Sequence, residues 1–115
     1  MKLRDSLTEQ AIREQLLCSW TGMKDEKNKI MSVLRKEFGE IKSAFVLNWT
    51  PEQGEDIYTV LVNASNIVYL EISKENDSLI SFSVNSVREY EKRLRGKPGR
   101  IQLAVALDIS KTLSK

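Results

Sequence analysis

The segment from Trp49 to Tyr58, WTPEQGEDIY, places three carboxylates between two aromatic side chains. Glu52, Glu55 and Asp56 could supply a general acid and a general base, or oxygen ligands for a hard cation. A glycosidase-type pair must be fixed in a cleft, however, and these carboxylates occupy one short turn. Their spacing also differs from that of an EF-hand loop. The pattern therefore favours a solvated hairpin turn over a catalytic or metal site.

The same segment is better suited to protein recognition. Tryptophan and tyrosine are enriched among the residues that dominate the binding free energy at protein interfaces. The acidic side chains between them could meet a basic site on a partner. The predicted partner-binding surface consists of Trp49, Glu52, Glu55, Asp56 and Tyr58.

A second charged segment, residues 86–100, carries six basic side chains against two acidic ones. Basic residues in the last turn of a helix complement the helix dipole, and Glu89 and Arg93 have the spacing of a favourable ion pair. A well-built helix end therefore explains most of the charge. Lys97 and Arg100 extend it past the predicted helix, where it could bind phosphate groups. The predicted anion-binding residues are Arg93, Arg95, Lys97 and Arg100.

The complete absence of histidine from the 115 residues restricts the chemistry most strongly. Histidine is the usual general base near neutral pH and the commonest metal ligand. Without it, a Ser-His-Asp triad, a Cys-His dyad and typical zinc or two-histidine iron sites are excluded. The glycines match neither a P-loop nor a dinucleotide-binding fingerprint. We therefore expect no metal, no cofactor and no enzymatic activity.

Composition is that of a soluble protein. The 18 basic and 16 acidic residues give a net charge of +2, which is too balanced for a dedicated nucleic-acid binder. No apolar run approaches the roughly 20 residues that span a bilayer, and MKLRDSLTEQ lacks the apolar stretch of a signal peptide. The single cysteine, Cys18, lies on the apolar side of a predicted helix and is expected to be buried. We therefore expect a cytoplasmic protein with no membrane partner.

Two helices are predicted to precede the acidic segment, as a helical hairpin over residues 6–38. The first begins at Ser6, which opens a Ser-x-x-Glu capping box, and Gly22 marks the break after it. The second covers about 24–38. Gly39 follows it in the position of a left-handed C-cap residue.

Strands are predicted where the apolar period changes from 3.6 to 2. In residues 41–49 the alternation places Phe45, Leu47 and Trp49 on one face. Short turns separate the runs that follow, which favours an antiparallel meander. These further runs are residues 57–63, 66–72 and 78–84.

The C-terminal part of the sequence predicts one helix and one last strand. Ser86 and Glu89 form a second capping box, and Gly96 stands just past the end of a helix over 86–95. The segment RIQLAVALDI alternates strictly between apolar and other residues, which is typical of a strand with one buried face. The alternating apolar residues are Ile101, Leu103, Val105, Leu107 and Ile109.

The predicted fold is α+β, in the order α-α-β-β-β-β-α-β, with helices on one face of a mostly antiparallel sheet of about five strands. It forms a single domain, 1–115, that consists of the helical hairpin and a sheet-plus-helix part over 41–110. The sequence does not specify the strand order or the oligomeric state.

The predicted function is that of a non-catalytic protein-binding domain, and the identity of its partner stays open. By analogy in size, the chain resembles small bacterial inhibitors, adaptors and toxin-neutralising immunity proteins, which act by occupying a partner's surface. The alternative is a weak nucleic-acid or anion binder that uses residues 88–100. An enzyme that depends on carboxylates or lysine is the lesser alternative.

Overall fold

In the computed structural model, residues 2–23, 29–94 and 96–113 are described, except for the side chains of residues 2–9, 23, 97 and 98. They form four helices and a four-stranded antiparallel sheet. The α+β class and the position of two helices ahead of the strands are confirmed, but the sheet has four strands instead of five. The elements are α1 (Lys2–Met23), α2 (Lys29–Phe38), β1 (Ala44–Pro51), β2 (Glu55–Val62), β3 (Asn66–Ser73), β4 (Leu79–Ser86), α3 (Val87–Arg93) and α4 (Lys97–Leu113).

The sheet is a meander in which each strand pairs with the next one in the chain, in the order β1-β2-β3-β4. All three pairs are antiparallel, as predicted. The turn between β2 and β3 has left-handed backbone at Asn63 and Ala64. The Asn63 side chain accepts a hydrogen bond from the Lys42 N–H (2.7 Å) and donates one to the Glu40 carbonyl (3.1 Å). The turn is thereby tied to the segment that leads into β1.

The predicted last strand is wrong, because residues 101–110 form the middle of α4. Leu103, Ala106 and Ser110 recur at helical intervals and are buried, whereas Ala104 is exposed. The Ser110 hydroxyl also accepts a buried hydrogen bond from that of Ser43 (3.3 Å). Alanine, leucine and glutamine favour helix, and the apolar residues of this segment fit a helical stripe as well as an alternation.

Helix α1 is longer than predicted. It begins at Lys2, so Ser6 lies inside the helix instead of capping it, and it runs through Gly22 without a break. Leu16 and Trp20 are buried one turn apart. Helix α1 buries the face that contacts β1 and α4. The pattern of apolar residues within α1 does not by itself identify that face.

Cys18 is exposed, contrary to the expectation that it is buried. Trp20, two residues further on, points toward the core and packs on Phe45 of β1, with ring centroids 6.4 Å apart. Because consecutive helical residues are separated by about 100°, residues two apart point to nearly opposite sides. The burial of Trp20 therefore places Cys18 at the surface.

Helix α2 ends as predicted. The Gly39 backbone is left-handed, with φ +76°, and its N–H donates to the Arg35 carbonyl (2.9 Å), which closes the helix with a C-cap bond. Ile30, Met31 and Leu34 form its buried stripe. The predicted start of this helix, at residue 24, lies outside the described residues.

Helices cover both faces of the sheet, whereas one covered face was predicted. Phe38 of α2 packs on Phe82 of β4, with ring centroids 6.4 Å apart. Phe82 pairs with Leu70, and the adjacent Tyr69 points to the opposite face. Helix α3 contacts β3 and β4, and Tyr90 of α3 has a raised pKa because of burial and the neighbouring Tyr69. Helices α2 and α3 therefore lie on opposite faces.

A β-bulge at Leu47 shifts the register of β1 against β2. Phe45, ahead of the bulge, pairs with Leu61, and Trp49, beyond it, pairs with Tyr58. Directly paired residues point to the same side of a sheet, and residues 58 and 61 point to opposite sides. Phe45 and Trp49 therefore lie on opposite faces, although the uninterrupted alternation predicted one shared face.

Among the described residues, no helix has the length and apolar character needed to cross a membrane.

Candidate functional site

Trp49 and Tyr58 form an aromatic pair at one end of the sheet. They are cross-strand neighbours on β1 and β2, and their rings stack with centroids 6.4 Å apart and planes at 11°. Trp49 is 55% exposed, while Tyr58 is half-buried. Burial raises the pKa of Tyr58, and the nearby Asp56 carboxylate raises it further. The pair presents a large aromatic surface to solvent.

Asp56 fixes the orientation of the Trp49 ring. Its side chain is buried, and its Oδ1 accepts a hydrogen bond from Trp49 Nε1 (3.0 Å). Lys74 Nζ lies 3.8 Å from the same oxygen and supplies a counter-charge. We refer to Trp49, Asp56 and Tyr58 as the Trp49 platform.

Glu55 lies on the other face of the sheet, because it precedes Asp56 in β2. Burial raises the pKa of Glu55, as do the neighbouring carboxylates of Glu71, to which it is hydrogen-bonded, and of Glu52. Glu52 itself is exposed, and its N–H donates to the Glu55 carbonyl (2.8 Å) across the turn. The structure therefore brings together three of the five predicted partner-binding residues and separates them from Glu52 and Glu55.

An open cleft of about 810 Å³ runs along the outer edge of β1, between α1 and α4. Trp49 is the member of the platform that lines it. Cys18 and Glu14 line it from α1. None of Glu52, Glu55 and Asp56 lines this cleft, so the carboxylates that could have served as acid and base lie outside it.

Inside the cleft, side chains of α1 and α4 form hydrogen bonds with backbone groups of β1. The Val46 N–H donates to Ser19 Oγ (3.0 Å), and Gln102 Nε2 donates to the Leu47 carbonyl (2.9 Å). These bonds close the first half of the outer edge of β1 to further strand pairing. The edge beyond the bulge, from Asn48 to Pro51, is exposed.

The basic segment is only partly described. Ser86 caps α3 as predicted, since its Oγ accepts a hydrogen bond from the Glu89 N–H (3.1 Å). Arg93 and Arg100 are exposed. Within residues 29–94, no ion pair joins Glu89 to Arg93. Arg95 and the side chain of Lys97 lie outside the described residues.

The basic segment and the Trp49 platform do not form one site. Tyr58 shares a face of the sheet with Leu70 and Phe82, the face that α2 covers. Helix α3 packs on the opposite face, near Tyr69. A single small ligand could not contact both the platform and the basic residues of α3.

Two features of the site were missed by sequence reasoning. The bulge at Leu47 has no local signal, and it decides which face Trp49 occupies. Lys74 comes from the turn after β3, 18 positions from Asp56 in the sequence, so only the meander register brings the two together. The closeness of Trp49 and Asp56 could have been predicted, because a hairpin with its turn at residues 52–55 places the two residues near each other on adjacent strands.

Across the residues that the structure describes, no three His, Cys, Asp or Glu side chains are grouped closely enough to hold a metal ion. Comparisons with protein-family models, with curated proteins and with solved structures found no significant match to the chain.

Proposed function

We propose that the chain is a non-catalytic protein-binding domain whose contact surface is centred on the Trp49 platform. One observation carries the proposal: Trp49 is more than half exposed, yet its ring is stacked and its only polar atom is bonded to a buried carboxylate. A large side chain that is already ordered loses little conformational entropy when a partner covers it. Tryptophan and tyrosine in such settings are frequent interface hot spots.

The exposed turn that follows Trp49 favours a protein partner with a basic surface. Glu52 is the exposed carboxylate of this turn, whereas the charge of the buried Asp56 is offset by Lys74. Carboxylates repel the phosphate backbone of nucleic acid, whereas they complement lysine and arginine on a protein. This arrangement suits a small inhibitor, adaptor or immunity-type protein that occupies a partner's surface.

The test is affinity capture from cells of the source organism with matched surface variants. The chain is immobilised as the wild type, as Trp49→Ala and as Leu113→Ala, which removes an exposed apolar side chain at the end of α4. We expect one stoichiometric protein to be retained by the wild type and by Leu113→Ala but lost with Trp49→Ala. With the partner purified, Trp49→Ala should weaken binding more than tenfold, which corresponds to more than about 1.4 kcal/mol.

Retention of the same protein by Trp49→Ala would contradict the proposal. Trp49→Phe refines the test, since it keeps an aromatic ring but removes the bond to Asp56. An affinity between those of the wild type and Trp49→Ala is expected if the fixed orientation of the ring contributes.

The second candidate function is nucleic-acid or anion binding by the basic segment, and the exposure of Arg88, Lys92 and Arg93 on α3 favours it. It predicts that capture depends on nucleic acid and falls steeply with salt. The double variant Arg93→Glu/Arg100→Glu should then abolish binding, while Trp49→Ala leaves it unchanged. The two functions are therefore distinguished by the same capture experiment after nuclease treatment.

A further inference from the structure

The two outer edges of the sheet are built differently. The edge of β1 is interrupted by the Leu47 bulge, bonded to Ser19 and Gln102, and ended by Pro51. Proline, bulges and covering side chains are the usual means by which proteins prevent strands from adding to an edge. Strand β4 also has a bulge, at Ile80 near its start, but Ser81–Ser86 pair with β3 in an unbroken register, and β4 has neither a charged residue nor a proline. In the described part of the chain, its only strand neighbour is β3.

The backbone of β4 offers free hydrogen-bonding groups at defined positions. The Ser73 N–H donates to the Ser78 carbonyl (2.8 Å), so the odd-numbered residues of β3 direct their backbone groups toward β4. Tyr69 pairs with Ser83, and Ser83 therefore directs its groups back to β3. By the alternation of an antiparallel ladder, Phe82 and Val84 direct theirs outward.

Exposed apolar side chains accompany these free groups. Leu79, Ile80 and Val84 are 41%, 52% and 44% exposed, and they make β4 the strand with the most exposed large hydrophobic residues in the described structure. A long, uncharged edge strand with exposed apolar residues is a template for pairing with another strand. A strand that pairs with β4 must therefore match both its free backbone groups and its exposed apolar side chains.

We propose that β4 pairs with β4 of a second copy of the chain, antiparallel and about a two-fold axis through Ser83, so that one sheet spans both copies. In this register Phe82 lies opposite Val84 of the second copy, and each such pair exchanges two N–H···O=C bonds. Ser83 lies opposite its own counterpart. Ser81 lies opposite Asn85 of the second copy, so that polar side chains meet on one face and apolar ones on the other.

A second copy suits the edge of β4 better than an unrelated strand does, because in this register apolar residues lie opposite apolar ones and polar residues lie opposite polar ones. Leu79–Ser86 contains no charged residue, so the pairing brings no like charges together. Serine–serine pairs across strands are favourable. A two-fold contact uses the same surface on both copies and closes after two. The protected edge of β1 prevents further copies from adding at the other end of the sheet. The expected assembly is therefore a closed dimer instead of a fibre.

Disulfide trapping tests the register directly. Ser83→Cys is made in a Cys18→Ser background, because the exposed Cys18 thiol could cross-link by itself. In the proposed register the two Ser83 Cα atoms are about 4.5 Å apart, within the range of about 4.4–6.8 Å that a disulfide requires. The two Ser81 Cα atoms are four residues apart along the strands, about 13 Å. Mild oxidation should therefore convert Ser83→Cys to a covalent dimer on a denaturing, non-reducing gel, while the control Ser81→Cys forms no cross-link.

Sedimentation of the unmodified chain supplies the second measurement. We expect a mass of about twice 13.2 kDa for the wild type and for Trp49→Ala. Val84→Lys should sediment as a folded monomer, because Val84 is exposed in each copy, whereas in the dimer each lysine would lie opposite Phe82 and diagonal to the other lysine on the same face. A monomeric wild type at high micromolar concentration would overturn the proposal. So would a dimer in which Ser81→Cys cross-links as readily as Ser83→Cys, since that dimer would use another surface.

Discussion

At the scale of single residues, the buried carboxylate of Asp56 matters because it orders an exposed ring. The hydrogen bond from Trp49 Nε1 to Asp56 Oδ1 adds a fixed point to a ring that is otherwise held by stacking on Tyr58. Sequence reasoning placed Asp56 in a solvated acidic loop. The structure makes it the one buried member of that loop.

Asp56→Ala should therefore release Trp49. We expect faster hydrogen exchange of the indole N–H, measured by NMR, and a loss of about 1–3 kcal/mol in the free energy of unfolding, since a hydrogen bond to a buried charged group is removed. Gln53→Ala, in the same turn but exposed and uncharged, is the control and should change neither quantity. Unchanged indole exchange in Asp56→Ala would contradict the assigned bond.

The stability of the fold should depend on pH through Glu55, and the sign of this dependence follows from the raised pKa of Glu55. Burial and the carboxylates of Glu71 and Glu52 make the folded state bind the Glu55 proton more tightly than the unfolded state, where the pKa is about 4.5. The stability that this proton confers is full below pH 4.5 and is lost as the pH rises through the folded-state pKa. Glu55→Gln should therefore have a higher Tm than the wild type at pH 7.

The Tm difference between Glu55→Gln and the wild type should shrink toward zero as the pH falls below 4.5, because both side chains are then neutral. Glu37→Gln, on the exposed side of α2, is the control and should show no such trend. Scanning calorimetry between pH 3 and pH 7 measures both variants. A constant difference over this range would show that the effect does not come from ionisation of Glu55.

At the scale of elements, two glycines provide opposite tests of the helix boundaries. Gly39→Ala must place a Cβ at φ +76°, which costs about 1–2 kcal/mol. Gly22 lies inside α1, and nothing lies within 4 Å of the Cβ that alanine would add. Gly22→Ala should therefore stabilise the chain by up to about 1 kcal/mol. Urea denaturation of both variants measures this; the same sign in both would contradict one of the two boundaries.

Helix α4 can be distinguished from the strand that the sequence predicted. Ala104 is exposed in the middle of α4, so valine there should lower the free energy of unfolding by about 0.5 kcal/mol and glycine by about 1 kcal/mol. In a strand, valine would instead stabilise the chain relative to alanine. Urea denaturation of Ala104→Val therefore has opposite signs in the two structures.

The elements that sequence predicted correctly are those with local signals. Gly39 and Ser86 marked a helix end and a helix start because capping depends on neighbouring residues only. The meander followed from short turns between β-branched runs. Residues 101–110 were misassigned because their alternation also fits a helical stripe, and contact with β1 and α1 decides between them. The arrangement of the predicted partner-binding residues did not follow from composition, since alternation in β2 places Glu55 on the opposite face from Asp56 and Tyr58, and the Leu47 bulge turns Trp49 toward Tyr58.

At the scale of the whole molecule, both faces of the sheet are covered at the end where a turn joins β2 to β3. Val60, Leu61 and Val62 are fully buried in succession, which requires cover on both faces. Alternation alone would have left every second residue exposed. The core therefore includes α2, whose Ile30, Met31 and Leu34 are buried.

Leu34 tests this dependence, because it lies on α2 and is fully buried. Leu34→Ala should lower the free energy of unfolding by about 2–5 kcal/mol, through lost burial and the cavity that remains. Leu113→Ala, which truncates the same side chain at an exposed position, should cost less than about 0.5 kcal/mol. Urea denaturation compares the two; equal losses would mean that α2 does not belong to the core.

The bulge at Leu47 also determines which changes of length this chain can accept. Deleting one residue from β1 beyond Phe45 would restore simple alternation and turn Trp49 toward the opposite face, away from Asp56 and Tyr58. The turn at residues 52–54 is exposed, and exposed loop tips tolerate changes of length better than paired strands do. Over evolutionary time, insertions and deletions should accumulate in that turn and be purged from β1. A library of single-residue deletions, scored for folding, would show the same contrast.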